Sequence, residues 1–216
     1  MKLMNSVVIA TGLVLALVSP TMAQQRQRAP IGVYVGALGG ASFGPQTAAS
    51  FGVEFGERIH ENGQAYAVLS YFEDLMDSSL RGDLAQLGQL LTTTTGRTWD
   101  LQGRDRGVAL IMGAKYVGGS AGVRPYVGGG AGALNLRRHV TERQVGDVTA
   151  AAFSEFGIGD SGLAEGVTRP LVEATAGVGI EIGRAHLDVG YRYRRAFQLS
   201  RKVDFSQLAV GIGVNF

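Results

Sequence analysis

The chain contains no cysteine, five prolines and one tryptophan, Trp99, in 216 residues. Without cysteine there is no disulfide framework, no thiolate metal site and no lipid-modified cysteine. No segment reaches the roughly 18 uninterrupted apolar residues of a membrane-crossing helix. An excess of one charge is also missing. Twenty basic against 18 acidic residues give a formal net charge of +2, which offers no argument for a nucleic-acid partner. The three histidines, His60, His139 and His186, do not share a face at ligand spacing, so no metal site is expected. No cofactor is expected either: Gly128-x-Gly130-x-x-Ala133 loosely matches a dinucleotide fingerprint, but Leu134-Asn135-Leu136 continues an alternating strand where that mechanism requires a helix.

Glycine is the residue in excess: 33 residues, about twice its usual share of roughly 7%. There is no collagen period. The glycines fall inside alternating segments, as on the inner wall of a small barrel where room for side chains is short. The alternation is cleanest in the last ten residues, where Leu208, Val210, Ile212, Val214 and Phe216 interleave with Gln207, Ala209, Gly211, Gly213 and Asn215. A period of two gives one apolar face and one small or polar face. In a transmembrane barrel the first meets lipid, the second meets the lumen, and a terminal aromatic sits at the membrane edge.

The N-terminus fits that compartment. Met1-Lys2 gives a positive start, residues 7–18 are apolar, Ser19-Pro20 breaks the run, and Thr21-Met22-Ala23 is a cleavage signature. A secretory signal peptide over residues 1–23 is expected, cut between Ala23 and Gln24. Residues 24–30 would then be a short periplasmic segment and residues 31–216 the barrel.

Eight segments read as strands: 31–43, 48–59, 64–73, 106–117, 123–138, 169–183, 186–197 and 203–216. Their connections run short, short, long, short, long, short, short. With a periplasmic N-terminus, both long insertions, 74–105 and 139–168, fall outside the cell and every periplasmic turn is short, as barrels require. The expected fold is all-β: an eight-stranded antiparallel transmembrane β-barrel with two long outer loops, one carrying a short helix. In the first loop Leu75, Met76, Leu80, Leu84, Leu87 and Leu91 recur at helical spacing, with Gly82 and Gly88 weakening the helix and the run Thr92 to Gly96 ending it. That helix lies across the rim, closes the mouth as a lid, or offers a partner surface. Trp99 is expected at the outer lipid boundary. The second loop holds Phe153 and Phe156 among glycines.

Parity assigns faces. Outward rows read Phe51, Val53, Phe55; Val108, Leu110, Met112, Ala114, Tyr116; Val178, Ile180, Ile182; and Leu187, Val189, Tyr191, Tyr193. On 64–73, Tyr66, Val68 and Phe72 are assigned to lipid. In 123–138, Arg124 and Asn135 conflict in parity, which predicts a bulge near Gly128-Gly129-Gly130. The inward charges form a candidate network: Glu54, Glu73, Glu173, Glu181 and Asp188 against Arg58, Lys115, Arg124, Arg192 and Arg194. An eight-stranded interior is just wide enough for side chains to fill. Such residues either interlock as a structural plug or line a narrow ion path.

Arg124-Pro125-Tyr126-Val127-Gly128-Gly129-Gly130-Ala131-Gly132 and Asp188-Val189-Gly190-Tyr191-Arg192-Tyr193 resemble strands of the small Gram-negative outer-membrane barrels, the opacity-type, OmpA-like and OmpX-like proteins. With the terminal strand, the resemblance covers essentially all of the chain after the signal peptide. It implies residence among outer-membrane lipid and lipopolysaccharide, passage through periplasmic chaperones, and recognition of the end of the chain by the barrel assembly machinery, with Phe216 as key residue beside Tyr193, Leu208, Val210, Ile212 and Val214. The expected role is a non-enzymatic outer-membrane surface barrel, structural, with outer loops available for adhesion or for an extracellular ligand; the alternatives are a narrow porin-like channel for ions or small solutes and a lipid-modifying enzyme. Where OmpA-like proteins usually carry a peptidoglycan-binding domain after the barrel, this sequence ends with the barrel, so no cell-wall tether is implied. A deacylase of this size needs a serine, a histidine and a carboxylate. His139-Val140-Thr141 comes nearest, lacks the serine, and is expected at a loop mouth rather than on the outer wall.

Overall fold

The computed structural model describes residues 32–44, 47–119, 122–149, 166–197 and 202–216. The expected signal peptide with Ala23 and Gln24, and the loop aromatics Phe153 and Phe156, lie outside these residues. The strands are β1 (Val33–Phe43), β2 (Thr47–Arg58), β3 (Gly63–Phe72), β4 (Leu101–Val117), β5 (Val123–Glu142), β6 (Gly146–Asp147), β7 (Val167–Ile182), β8 (Ala185–Phe197) and β9 (Lys202–Asn215), with one helix, α1 (Ser78–Thr95), between β3 and β4. Apart from β6, each strand pairs antiparallel with the next, β5 with β7 and β1 with β9, so the wall closes on itself. β6 merely extends the tip of β5, which leaves eight strands in the wall. Closure removes the exposed edge that would otherwise recruit other chains.

Short turns gather at the end that holds Phe216, called here the terminal end: around residues 59–62, at 118–122 and at 183–184. Gly119, Gly122 and Gly183 adopt positive φ in two of these turns, where side chains are disfavoured. The long connections lie at the opposite, loop end. There β4 and β5 are paired without interruption from Val117 and Tyr126 to Leu101 and Glu142, well beyond the end of β3.

Side-chain direction alternates in step around the whole circle. Leu110, Met112, Tyr116, Val189, Tyr191, Val210 and Ile212 are exposed on the outside, while the intervening residues are buried. Two expectations change. The bulge in β5 is absent: its register with both neighbours is continuous, even-numbered residues face in, and Asn135 sits outside, donating to Thr168 Oγ1 at 3.0 Å. On β3 the assignment reverses, because directly paired residues share a face. Val68 pairs with Glu54 and Tyr66 with Gly56, so Tyr66, Val68 and Phe72 turn inward. Leu69 and Tyr71 take the outer face, paired with Leu110 and Val108.

The lumen accepts those apolar residues because its half nearer the loop end is a hydrophobic core. Val68, Phe72, Leu75, Ala109, Ile111, Leu134, Leu136, Leu171, Ala196 and Phe205 cluster there. Phe72 meets Phe205 edge to face with ring centroids 5.0 Å apart.

Candidate functional site

The inner wall explains the glycine content. Three lumen tyrosines each pair directly across strands with a glycine: Tyr34 with Gly56, Tyr66 with Gly113, and Tyr126 with Gly177. A Cβ on Gly177 would come within 2.6 Å of Tyr126 Oη, and one on Gly130 within 2.9 Å of Tyr66 Oη. The rings therefore lie on bare backbone, which lets three large side chains fit inside an eight-stranded wall.

Their hydroxyls feed a charge lattice. Glu54, 3% exposed, accepts from Lys115 Nζ, Arg192 Nη2 and Tyr34 Oη. Lys115 Nζ also stands 4.5 Å from the centre of Tyr126 and 4.9 Å from that of Tyr66. Tyr126 donates to Asp188 at 3.1 Å. One step toward the loop end, Glu173 accepts from Tyr66 Oη at 2.8 Å and Arg194 Nε at 2.6 Å. Arg194 reaches Gln207 at 2.8 Å, and Gln207 reaches Ser50 at 2.9 Å. Arg194 also lies 5.1 Å from the centre of Phe72, which joins the charged layer to the apolar one. At the terminal rim, Glu181 receives Arg124 at 2.8 Å and Arg58 at 3.4 Å, both partly exposed.

Nine of the ten expected lumen charges thus come together. The exception is Glu73, which directly follows the last paired residue of β3, has outward parity and is exposed at the loop-end rim. Residue counting missed a second pair. Arg138 and Asp105, both buried, form a two-pronged bridge at 2.7 Å on each arm under α1. Its signal was present: Arg138 has inward parity once the bulge is dropped.

α1 covers the mouth on the β4–β5 side. Asp77 caps its N-terminus by accepting from Ser79 N at 3.2 Å, and Gly96, with φ 69°, ends it. Threonines 92 to 95 belong to the helix and do not end it, each hydroxyl donating to the carbonyl four residues earlier. Leu84, Met76, Leu80, Leu87 and Leu91 pack on the inward face of Leu101 and Val140. Gly103 leaves the space: a Cβ there would meet Leu84 and Met76 at 2.5 Å. Leu75 drops further, into the barrel core itself. Trp99 does not face lipid. It packs in this cluster, and its Nε1 donates to Thr95 Oγ1 at 2.9 Å.

His139 stands on the outer face of the β5 extension, not at a loop mouth. Its ring lies 3.6 Å from Asp147 Oδ2 and 3.4 Å from Thr149 Oγ1. The Thr149 hydroxyl is engaged elsewhere, donating to Asp147 Oδ1 at 2.5 Å and accepting from Val140 N at 3.0 Å. Thr149 N also donates to Asp147, and these two bonds hold the Asp147 carboxyl below its usual range. Thr141, the other hydroxyl, lies 3.4 Å from Gln102 O. A nucleophile needs its proton held by the base; here the closest acceptor is the carboxylate. Among the described residues no group of three or more His, Cys, Asp or Glu side chains is placed to hold a metal ion.

On the last strand, Leu208, Val210, Ile212 and Val214 form a continuous exposed outer stripe that ends on Phe216, with Tyr193 on the same outer face of β8. Phe216 N donates to Val33 O at 2.8 Å, so the final residue is tied to the first strand.

No family model matches this chain, and no curated protein does. Among solved structures it is similar to Neisserial surface protein A, with 14% identity over 87% of this chain and 98% of that one, and a TM-score of 0.54. It is similar also to the N-terminal β-barrel domain of Pseudomonas aeruginosa OprF, with 13% identity over 86% of this chain and 97% of that one, and a TM-score of 0.53. The chain has the fold of the small eight-stranded outer-membrane β-barrels.

Proposed function

We propose that the protein is a non-conducting, non-enzymatic barrel of the bacterial outer membrane that works through its extracellular side, where α1 and the turn between β5 and β6 are presented to ligands. One observation carries this reading: the lumen is filled by interlocked, oppositely charged side chains, with Arg192 and Arg194 fully buried, and an apolar layer above them. An ion would have to displace both layers. Unpaired charges inside would cost several kcal/mol, roughly 3–5 for a broken pair, so the lattice holds the wall together. The outer face fits the same location. The apolar outward run of β4, from Val108 to Tyr116, spans nine residues, about 20 Å along the membrane normal for a tilted strand, which fits within the roughly 25 Å height of a barrel's apolar band. The exposed stripe ending on Phe216 suits recognition by the barrel assembly machinery.

A second reading, a narrow channel, has one observation in its favour. Arg192 Nε and Nη1 are buried without a hydrogen-bond partner, and a file of water would satisfy them. Planar-bilayer recordings separate the two. Folded protein, selected by its gel-mobility shift on boiling, is expected to be silent, and deletion of residues 77–99 to leave it silent, because the lattice lies below the cap. Defined current steps from the intact chain would overturn the first reading; steps only after the deletion would make α1 a lid.

A further inference from the structure

β4 and β5 continue as a two-stranded ribbon beyond their neighbours in the wall: pairing with β3 stops at Gly107, and pairing with β7 stops at Leu136. The outer face of this extension is basic. Arg106 lies directly opposite Arg137, and Arg104 opposite His139. His139 has Asp147 beside it, but the guanidinium groups of Arg104, Arg106 and Arg137 have no hydrogen-bond or carboxylate partner among the described residues. Arg106 Nε is shielded from solvent and unsatisfied. Glu73 and Asp147 are the nearby carboxylates in sequence and register, and neither forms an ion pair with them. Like charges directly opposite on a sheet repel, so this arrangement costs stability, with no ion pair among the described residues to offset it. The contrast lies elsewhere on the loop-end outer face, where Arg195 is matched by Asp204 at 2.7 Å.

Position names the missing partner. Below the arginines Val108, Leu110 and Met112 are exposed on β4, while on β5 Asn135, opposite Val108, gives way to Ala133 and Ala131, so the outer face is wholly apolar from Leu110 downward. Two residues along a tilted strand rise about 5 Å along the membrane normal, and the headgroup layer is about 5–8 Å deep. Arg106 and Arg137 therefore stand at headgroup height when Val108 marks the top of the hydrocarbon. Guanidinium forks match phosphate oxygens two at a time, and one phosphate between Arg106 and Arg137 would cancel their repulsion. We propose that Arg106 and Arg137, with Arg104 above them, bind the phosphate group of an anionic lipid whose acyl chains lie on Leu110 and Met112. This rests on the membrane reading above.

Native mass spectrometry of the full refolded chain tests it, using phosphatidic acid and phosphatidylcholine with identical acyl chains. The mobility shift on boiling and insertion into vesicles are scored first on the same sample. Phosphatidic acid should be retained in preference, and the double variant R106Q/R137Q should lose that retention by about tenfold or more while phosphatidylcholine is unaffected. Removing two repelling charges does not hinder folding, and R143Q, in the exposed turn beyond β5, should behave as the parent. Equal retention by parent and double variant overturns the site. Binding of millimolar inorganic phosphate by the parent with no retention of phosphatidic acid also overturns it, since the arginines would then take a free anion and no lipid. A sample that fails to insert sinks the membrane reading with it; insertion without phosphate preference sinks the lipid site alone.

Discussion

Glu54→Gln removes one negative charge from the centre of the lumen with almost no change in shape. In the parent, that carboxylate faces Lys115 and Arg192 and receives the Tyr34 hydroxyl, with every side chain in the group buried. Glutamine keeps one oxygen acceptor, so the hydrogen bonds are partly retained, but Lys115 and Arg192 are then left without a direct ion pair and with only Asp188 and Glu173 as neighbouring carboxylates. Leaving a buried charge without its partner costs about 3–5 kcal/mol; the retained acceptor puts the expected loss near the lower figure. Lys115→Met in the same chain removes the stranded ammonium, and replacement of a whole buried pair by apolar groups is often close to neutral. It also gives up the contacts of Lys115 with the Tyr66 and Tyr126 rings, so recovery is incomplete. The double variant should be more stable than the two single losses taken together, by about 1–2 kcal/mol of coupling. Urea unfolding from phosphatidylcholine vesicles, followed by far-ultraviolet circular dichroism, measures each loss. Trp99 fluorescence reports the α1 cap separately and should not move first. A loss below about 1 kcal/mol for E54Q, or additive losses in the double variant, would refute the lattice as the source of stability.

Gly177→Ala should lower stability by about 1–3 kcal/mol, the usual range for overpacking, because the new methyl meets the Tyr126 hydroxyl at 2.6 Å and Val189 O at 2.5 Å. Combining it with Tyr126→Phe should recover only part, since the strand backbone stays in the way; full recovery in the same urea assay would mean that the ring alone demands glycine. Deleting Phe216 should reduce the amount of folded barrel in outer-membrane fractions, read by the mobility shift on boiling. Normal yield would contradict the role proposed for the last strand.

Strand number, loop asymmetry and most facing were legible because alternation has a fixed period and cross-strand partners share a face. Residue type misleads where cross-strand pairing decides the face. Tyr66, Val68 and Phe72 were expected in lipid because they are apolar, yet Val68 is held opposite Glu54 and must share its face. That error moved Glu73 inward as well. The apolar half of the lumen leaves no simple trace in a scheme of polar inside and apolar outside. The bulge in β5 was inferred from Asn135, whose amide finds Thr168 on the outer wall. Trp99 was drawn to lipid by type, and only the return of the chain over Gly88, where a Cβ would meet Trp99 O at 2.9 Å, turns it onto α1. The unpaired arginines of the β4–β5 extension were hidden for another reason: residues 101–105 and 139–142 were counted as loop, so Arg104 had no assigned face and Arg106 and Arg137 had no partner across the sheet.

Because the chain has no cysteine, a single thiol reports its own surroundings without background. Thr175 lies on the inner wall beside the lattice and is 3% exposed, and cysteine nearly matches its volume. In folded protein in vesicles, Thr175→Cys should resist a charged, water-soluble thiol reagent and react only after unfolding. Thr95→Cys, at the exposed end of α1, supplies the rate of an open site. Reaction of the folded T175C protein at a rate approaching that of T95C would mean that water fills the lumen, and would contradict the filled interior on which this account rests.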